Sequence, residues 1–198
     1  MSIKNMVEFK WWSIETGPTT GKEEDFWKSI QEDLDKNNVP QAAWKLRRSV
    51  ECFFNEACSL LRGLVVFKSD GNWEVGDYLP AAISQYKLLL KKAKKAANSW
   101  NDRAKTRELN DFEEKLTEAI NKSQLEQWAV NPNVHYNNWA EFQANDFRPV
   151  VEAFQELFNI FVCENCKYIP SLLLSKDRKP ESVKCYCGKI NWNLHPKE

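Results

Sequence analysis

The chain has 198 residues, 42% of them apolar, with nine Trp, eleven Phe and five Tyr. That aromatic content can fill a core and excludes a disordered polymer. Lys plus Arg equals Asp plus Glu at 28 each, so no global field directs the protein to a polyanion or an acidic membrane.

Taken in chain order, Met1–Gly17 opens with an alternation of Val7, Phe9 and Trp11, read as a short strand or extended arm. Thr20 and Glu23 have capping-box spacing, which predicts a first helix from about Lys22 to Lys36 with Phe26, Trp27, Ile30 and Leu34 on one side. A second helix is bounded by Pro40 in its first turn and by Gly63 as a left-handed stop. Its seam is Ala43, Leu46, Val50, Phe53, Ala57 and Leu60, widened by Phe54 and Leu61. Asp70-Gly71 marks a tight turn. Asp77 is the expected cap of a third helix, Tyr78–Asn98, burying Leu79, Ile83, Tyr86, Leu90, Ala93 and Ala97. A fourth helix is expected over Arg103–Leu125 on Leu109, Phe112, Leu116, Ala119 and Ile120. The Asn-rich stretch Trp128–Trp139 reads as an ordered loop, and Asn145 as the cap of a last helix ending at Phe161. Beyond Val162 the period changes, and Tyr168–Leu174 and Ile190–Leu194 read as short strands around the polar turn Ser175–Glu181. The expected fold is mainly α: a bundle of about five helices over residues 1–161, then a small β zinc ribbon over residues 162–198.

Met1–Lys10 carries charges without an apolar run, and no stretch approaches a membrane span. The expectation is a cytoplasmic protein without a membrane partner. In a reducing compartment, closely spaced cysteines read as metal ligands or redox groups before disulfides. Cys163 and Cys166 form one pair, and eighteen residues later Cys185 and Cys187 form another, followed by Gly188. Two short turns a hairpin apart can bring four sulfurs to the corners of a tetrahedron, so the expected cofactor is one structural Zn2+. The second pair has one intervening residue where two are common, which makes a tighter turn. A redox Cys-x-x-Cys would open a helix after a strand, whereas Cys163 follows a helix end. Four thiolates leave no open coordination position, so the metal organises fold and not reaction. Cys52 and Cys58, on the second helix, read as small apolar packing residues.

Catalytic machinery is scarce. There is no Gly-rich phosphate loop and no Gly-x-Ser-x-Gly elbow. His135 and His195 are far apart, and neither follows an arginine with four to six residues between them, as a helical ribonuclease of that type requires. His135, in Val134–Trp139, reads as a loop anchor. No catalytic residue is assigned, and the protein is expected not to be an enzyme. The strongest charge cluster is Lys87, Lys91, Lys92, Lys94 and Lys95 on the third helix. With Lys184 and Lys189 of the ribbon, and Tyr186 and Trp192 for stacking, it forms an alternative nucleic-acid-binding surface.

Two stretches carry a family resemblance. One is Leu46-Arg47-Arg48-Ser49-Val50-Glu51-Cys52-Phe53-Phe54, continuing to Trp73-Glu74-Val75-Gly76-Asp77-Tyr78-Leu79-Pro80-Ala81-Ala82. The other runs from Val134-His135-Tyr136-Asn137-Asn138-Trp139 through Phe147-Arg148-Pro149 to the ribbon and Asn191-Trp192-Asn193-Leu194. Together they resemble the C-terminal zinc-ribbon module of SMC-like or RecF-like coiled-coil ATPases from bacterial anti-phage defence systems. The resemblance implies a stand-alone accessory subunit bound to such an ATPase, with DNA reached through the complex. Nucleotide chemistry then belongs to the ATPase head, and no catalytic residue carries over to this chain.

Overall fold

The three-and-four spacing of apolar residues is realised, in a computed structural model that describes residues 9–13, 17–20, 26–125 and 143–197, as a helical bundle. Among the described residues its helices are α1 (Phe26–Asp35), α2 (Val39–Leu61), α3 (Val75–Ser99), α4 (Arg103–Leu125) and α5 (Ala144–Phe161). Near the start, β1 (Phe9–Ser13) pairs antiparallel with β2 (Gly17–Thr20). At the other end β3 (Ser171–Leu174), β4 (Pro180–Lys184) and β5 (Asn191–Asn193) form a three-stranded antiparallel sheet in that order. The expected mainly α class with a small C-terminal β unit is what the chain adopts. The expected loop Trp128–Trp139, including His135, and the start of the first helix at residues 21–25 lie outside the described residues.

The helices close a ring. α2 packs on α1 and α3, α4 on α3 and α5, and α5 returns to α2 and α1. Phe53 and Phe158 stack at 3.9 Å between ring centres, and Phe54 and Phe161 meet edge to face at 5.3 Å. The core continues without a break into the β sheet, where Leu172, Val183 and Trp192 join it.

Helix boundaries depart from expectation where distant residues take part. α2 ends because Arg62, and not Gly63, takes the left-handed conformation (φ 58°). The amide of Gly63 then donates to Cys58 O at 2.8 Å. Gly63 is required for space: a Cβ there would lie 2.9 Å from Cys58 Sγ and 3.3 Å from the Ala81 carbonyl oxygen of α3. α3 starts three residues before the expected Tyr78. Asp77 sits inside its first turn and accepts from the Glu74 amide at 2.9 Å, one half of a capping box. α5 is capped from elsewhere in the chain and not by Asn145: Gln143 is its N-cap, and the Ala144 amide donates to Asn37 Oδ1 at 2.8 Å. Asn37 can do this because it occupies the left-handed turn between α1 and α2 (φ 55°). Arg148 of α5 adds an ion pair to Asp35 at 2.9 Å, and that guanidinium, with the Gln31 amide, holds the Asp35 carboxyl below the usual range.

The tight fit at Gly63 gives a test. Gly63→Ala should lower unfolding stability by about 1–3 kcal/mol, as overpacking does, measured by urea denaturation. Adding Cys58→Ala should recover part of that loss, because it removes the nearer obstacle. Equal stability of Gly63→Ala and the parent would show that α2 and α3 are not held this close.

Candidate metal centre

α5 delivers the first ligand. Val162 leaves the helix in an extended conformation (φ −108°, ψ 149°), and Cys163 follows, buried at the base of the ribbon. The amide of Cys163 donates to Tyr168 O at 2.9 Å, and that of Lys167 donates to Cys163 O at 2.8 Å. The loop between them is closed by Lys167 in a left-handed conformation (φ 61°). A second loop repeats the plan: the Cys185 amide donates to Ile190 O at 3.1 Å, and Gly188 (φ 77°) supplies the left-handed residue. Each closing bond spans five residues, Cys163 to Tyr168 and Cys185 to Ile190. The second loop absorbs its shorter cysteine spacing by placing the left-handed residue one position earlier. The left-handed backbone at Gly188, and not crowding, is what calls for glycine, since a Cβ there would meet nothing within 4 Å.

The two loops face each other. The sulfurs of Cys163, Cys166, Cys185 and Cys187 all lie within 4.8 Å of one another. Cys187 Sγ is 3.6 Å from Cys163 Sγ and 3.5 Å from Cys185 Sγ. Tetrahedral coordination with metal–sulfur bonds of about 2.3 Å requires sulfurs roughly 3.8 Å apart, so the four fit a single ion.

Backbone amides already favour sulfur anions. The Ile190 amide donates to Cys185 Sγ at 3.1 Å. Burial pushes the Cys185 thiol up to about 11 in spite of that bond. Cys187 is brought down to about 6, first by the Asn165 side chain and then by the Lys189 amide. At Cys163 burial acts upward, but the amides of Cys166 and Asn165 prevail and the thiol is lowered. A bound divalent ion would hold all four as thiolates. Beneath the site lies Tyr86, wholly buried and without a hydrogen-bond partner for its hydroxyl among the described residues. Burial, then the charges of Cys163 and Cys185, keep it protonated.

The other expected sites separate. Lys87, Lys91 and Lys95 are exposed at four-residue steps along α3 and have no ion pair among the described residues. Lys92 is half-buried, and Lys94 turns to α4, where it pairs with Glu113 at 2.6 Å. Lys184 and Lys189 are exposed on the ribbon. Trp192, expected to be free for stacking, is 2% exposed and lies against Tyr86 at 5.5 Å, with Phe112 on its edge. Its alternation with exposed Asn191 and Asn193 was the sequence signal that it points inward. Cys58 packs as expected, but Cys52 is exposed, one position off the buried stripe. Tyr168 was missed as an exposed aromatic: it lies 5.8 Å from Tyr186 between ring centres.

Metal content tests the centre directly. Elemental analysis of protein purified under reducing conditions should find one ion per chain, and Cys163→Ser or Cys185→Ser should reduce it to near none. Removing the ion with a chelator should erase the near-ultraviolet circular dichroism of the Tyr86–Trp192 contact and largely spare far-ultraviolet helicity. A metal-free protein with unchanged spectra would exclude a structural ion. Compared with known proteins, the chain matches no family model, no curated protein and no solved structure.

Proposed function

We propose that the chain is a non-catalytic, zinc-organised accessory subunit that docks on an SMC-like or RecF-like ATPase of a bacterial anti-phage defence complex. Zinc is the ion that best suits four thiolates at near-tetrahedral separations. With its coordination sphere filled by sulfur, it serves to shape a surface. The ATPase as partner rests on the resemblance of Leu46–Ala82 and Val134–Leu194 to the C-terminal module of such proteins.

The observation that carries docking is the connection between α2 and α3. Leu64, Val66 and Phe67 are 89%, 79% and 84% exposed there. These side chains stand on a braced segment. The Trp73 indole donates to Val66 O at 2.8 Å, Gln85 Nε2 donates to Leu61 O at 2.9 Å, and Lys68 pairs with Asp77 at 2.5 Å. Neighbouring large apolar side chains held out to water mark a protein interface.

The reading requires a coiled-coil ATPase gene beside the one for this chain, and a neighbourhood without such a gene would overturn it. Co-expression with that ATPase, followed by affinity capture and size exclusion, tests it further. The parent chain should co-elute with the ATPase. Leu64→Asp with Phe67→Asp should weaken capture at least about tenfold, the loss expected from interface anchors, at unchanged metal content and melting temperature. Undiminished capture of the double variant, or no capture of the parent, would overturn it.

A further inference from the structure

The metal loops carry a feature that neither metal binding nor the docking segment uses. Cys185-Tyr186-Cys187-Gly188 is a tight turn, closed by the Gly188 amide donating to Cys185 O at 3.1 Å. Tyr186 stands at the first central position of that turn, between two cysteines whose sulfurs face the cluster, and it is 89% exposed. Any polar residue would satisfy that geometry, yet the position holds an aromatic ring. A second ring stands beside it: Tyr168, 63% exposed, with centres 5.8 Å apart and planes at 54°. The two come from different metal loops, so the ion fixes their separation.

The surrounding charge is positive. Lys167 precedes Tyr168, and Lys184 and Lys189 bracket the second loop; all three are exposed and have no ion-pair partner among the described residues. Glu164 is exposed on the first loop and opposes them. Between Cys163 and Lys197 seven lysines and arginines stand against three acids. The two net negative charges of an ion with four thiolates reduce that excess without cancelling it.

Exposed aromatic faces rimmed by unpaired cations are the chemistry that holds unpaired bases and their phosphates, because every base has a face to stack and every linkage a charge. We propose that Tyr168 and Tyr186, with Lys167, Lys184 and Lys189, form a binding platform for single-stranded nucleic acid with little sequence preference. This goes beyond ATPase docking and uses a different surface.

Fluorescence anisotropy with the metal-loaded full chain and a labelled short oligothymidylate tests it. The parent should bind the single strand more tightly than a duplex of the same length, with affinity falling as salt rises. Tyr168→Ala with Tyr186→Ala should weaken binding by about tenfold or more, the loss of one or two stacked bases, whereas Tyr168→Phe with Tyr186→Phe should retain it. Lys184→Glu with Lys189→Glu should weaken binding and flatten its salt dependence. Metal content and circular dichroism establish that each variant is folded. Absence of single-strand binding by the parent, equal binding by the alanine variant, or preference for duplex would overturn the platform. So would loss of ATPase capture in the alanine variant with nucleic-acid binding intact, which would give this face to the protein partner.

Discussion

Tyr86 is the side chain on which bundle and ribbon depend together. Its ring stacks on Trp192 of β5 at 5.5 Å, leans on Phe161 of α5 at 4.7 Å and meets Phe112 of α4 edge-on at 5.6 Å. Each such pair adds about 0.5–1.5 kcal/mol beyond the burial of its area. Phe161 is also two residues from Cys163, so the helix that packs on Tyr86 presents the first sulfur. The ribbon has no separate core: Ile169, Leu172, Val183, Trp192 and Leu194 bury themselves in the core of the helices. A unit so small takes its order from this shared aromatic junction and, when an ion occupies the four-sulfur site, from that ion as well. Loss of either would loosen the other, because the strand carrying Trp192 begins just after the second metal loop.

Balanced composition conceals a division of labour among the charges. Lys45 with Asp33 ties α2 to α1, Lys94 with Glu113 ties α3 to α4, Lys122 with Glu156 ties α4 to α5, and Arg148 with Asp35 ties α5 to α1. Exposed pairs of this kind contribute about 0–1 kcal/mol each, so their value is in selecting which helices sit side by side. Asp33 is the exception in being nearly buried, where removal of Lys45 would leave a desolvated carboxylate. The cations left over, along the α3 stripe and around the metal loops, are the ones free to meet a partner.

What could be read from the chain alone was whatever local chemistry decides. The seam of α4 and both its ends were legible because its apolar residues keep one period from end to end; the structure adds that the Asp102 carboxylate accepts from the Lys105 amide at its start. The clustering of the four cysteines was legible because sulfur spacing is itself the geometry. The failures share a cause in long-range contact. Asn37 caps a helix that starts more than a hundred residues later, and no local pattern at Ala144 records it. The strand β4 was not foreseen: Pro180 and Glu181 were placed in the polar turn Ser175–Glu181 and Ser182–Lys184 in no element, since Val183 alone among Glu181–Lys184 is apolar. It is nevertheless the central strand, starting with Pro180, where the lost amide matters least, opposite an irregularity at Leu173–Leu174. Gly63 was rightly singled out for the wrong property: Cys58 Sγ and α3 passing at Ala81, and not a left-handed turn, crowd out a side chain there.

The exposed residues separate by whether folding explains them. Trp100 is half-exposed, yet its indole donates to His195 O at 3.0 Å and its face meets the Lys197 ammonium at 5.7 Å, so it pins the C-terminal segment to the end of α3. Trp44 carries Arg48 one turn along α2 at 5.9 Å, an arrangement internal to that helix. Leu64, Val66 and Phe67 have no such employment, and neither do the outward faces of Tyr168 and Tyr186. The first group sits on a loop braced by Trp73 and Asp77, and the second on two loops closed by backbone hydrogen bonds around the cysteine cluster. In both places the backbone is fixed and the apolar group is left in water. Pre-ordered surfaces of that kind lose little freedom when a partner arrives. The two surfaces differ in character, one aliphatic and one aromatic with cations, and they lie on separate loops, so substitutions on one leave the other's chemistry intact.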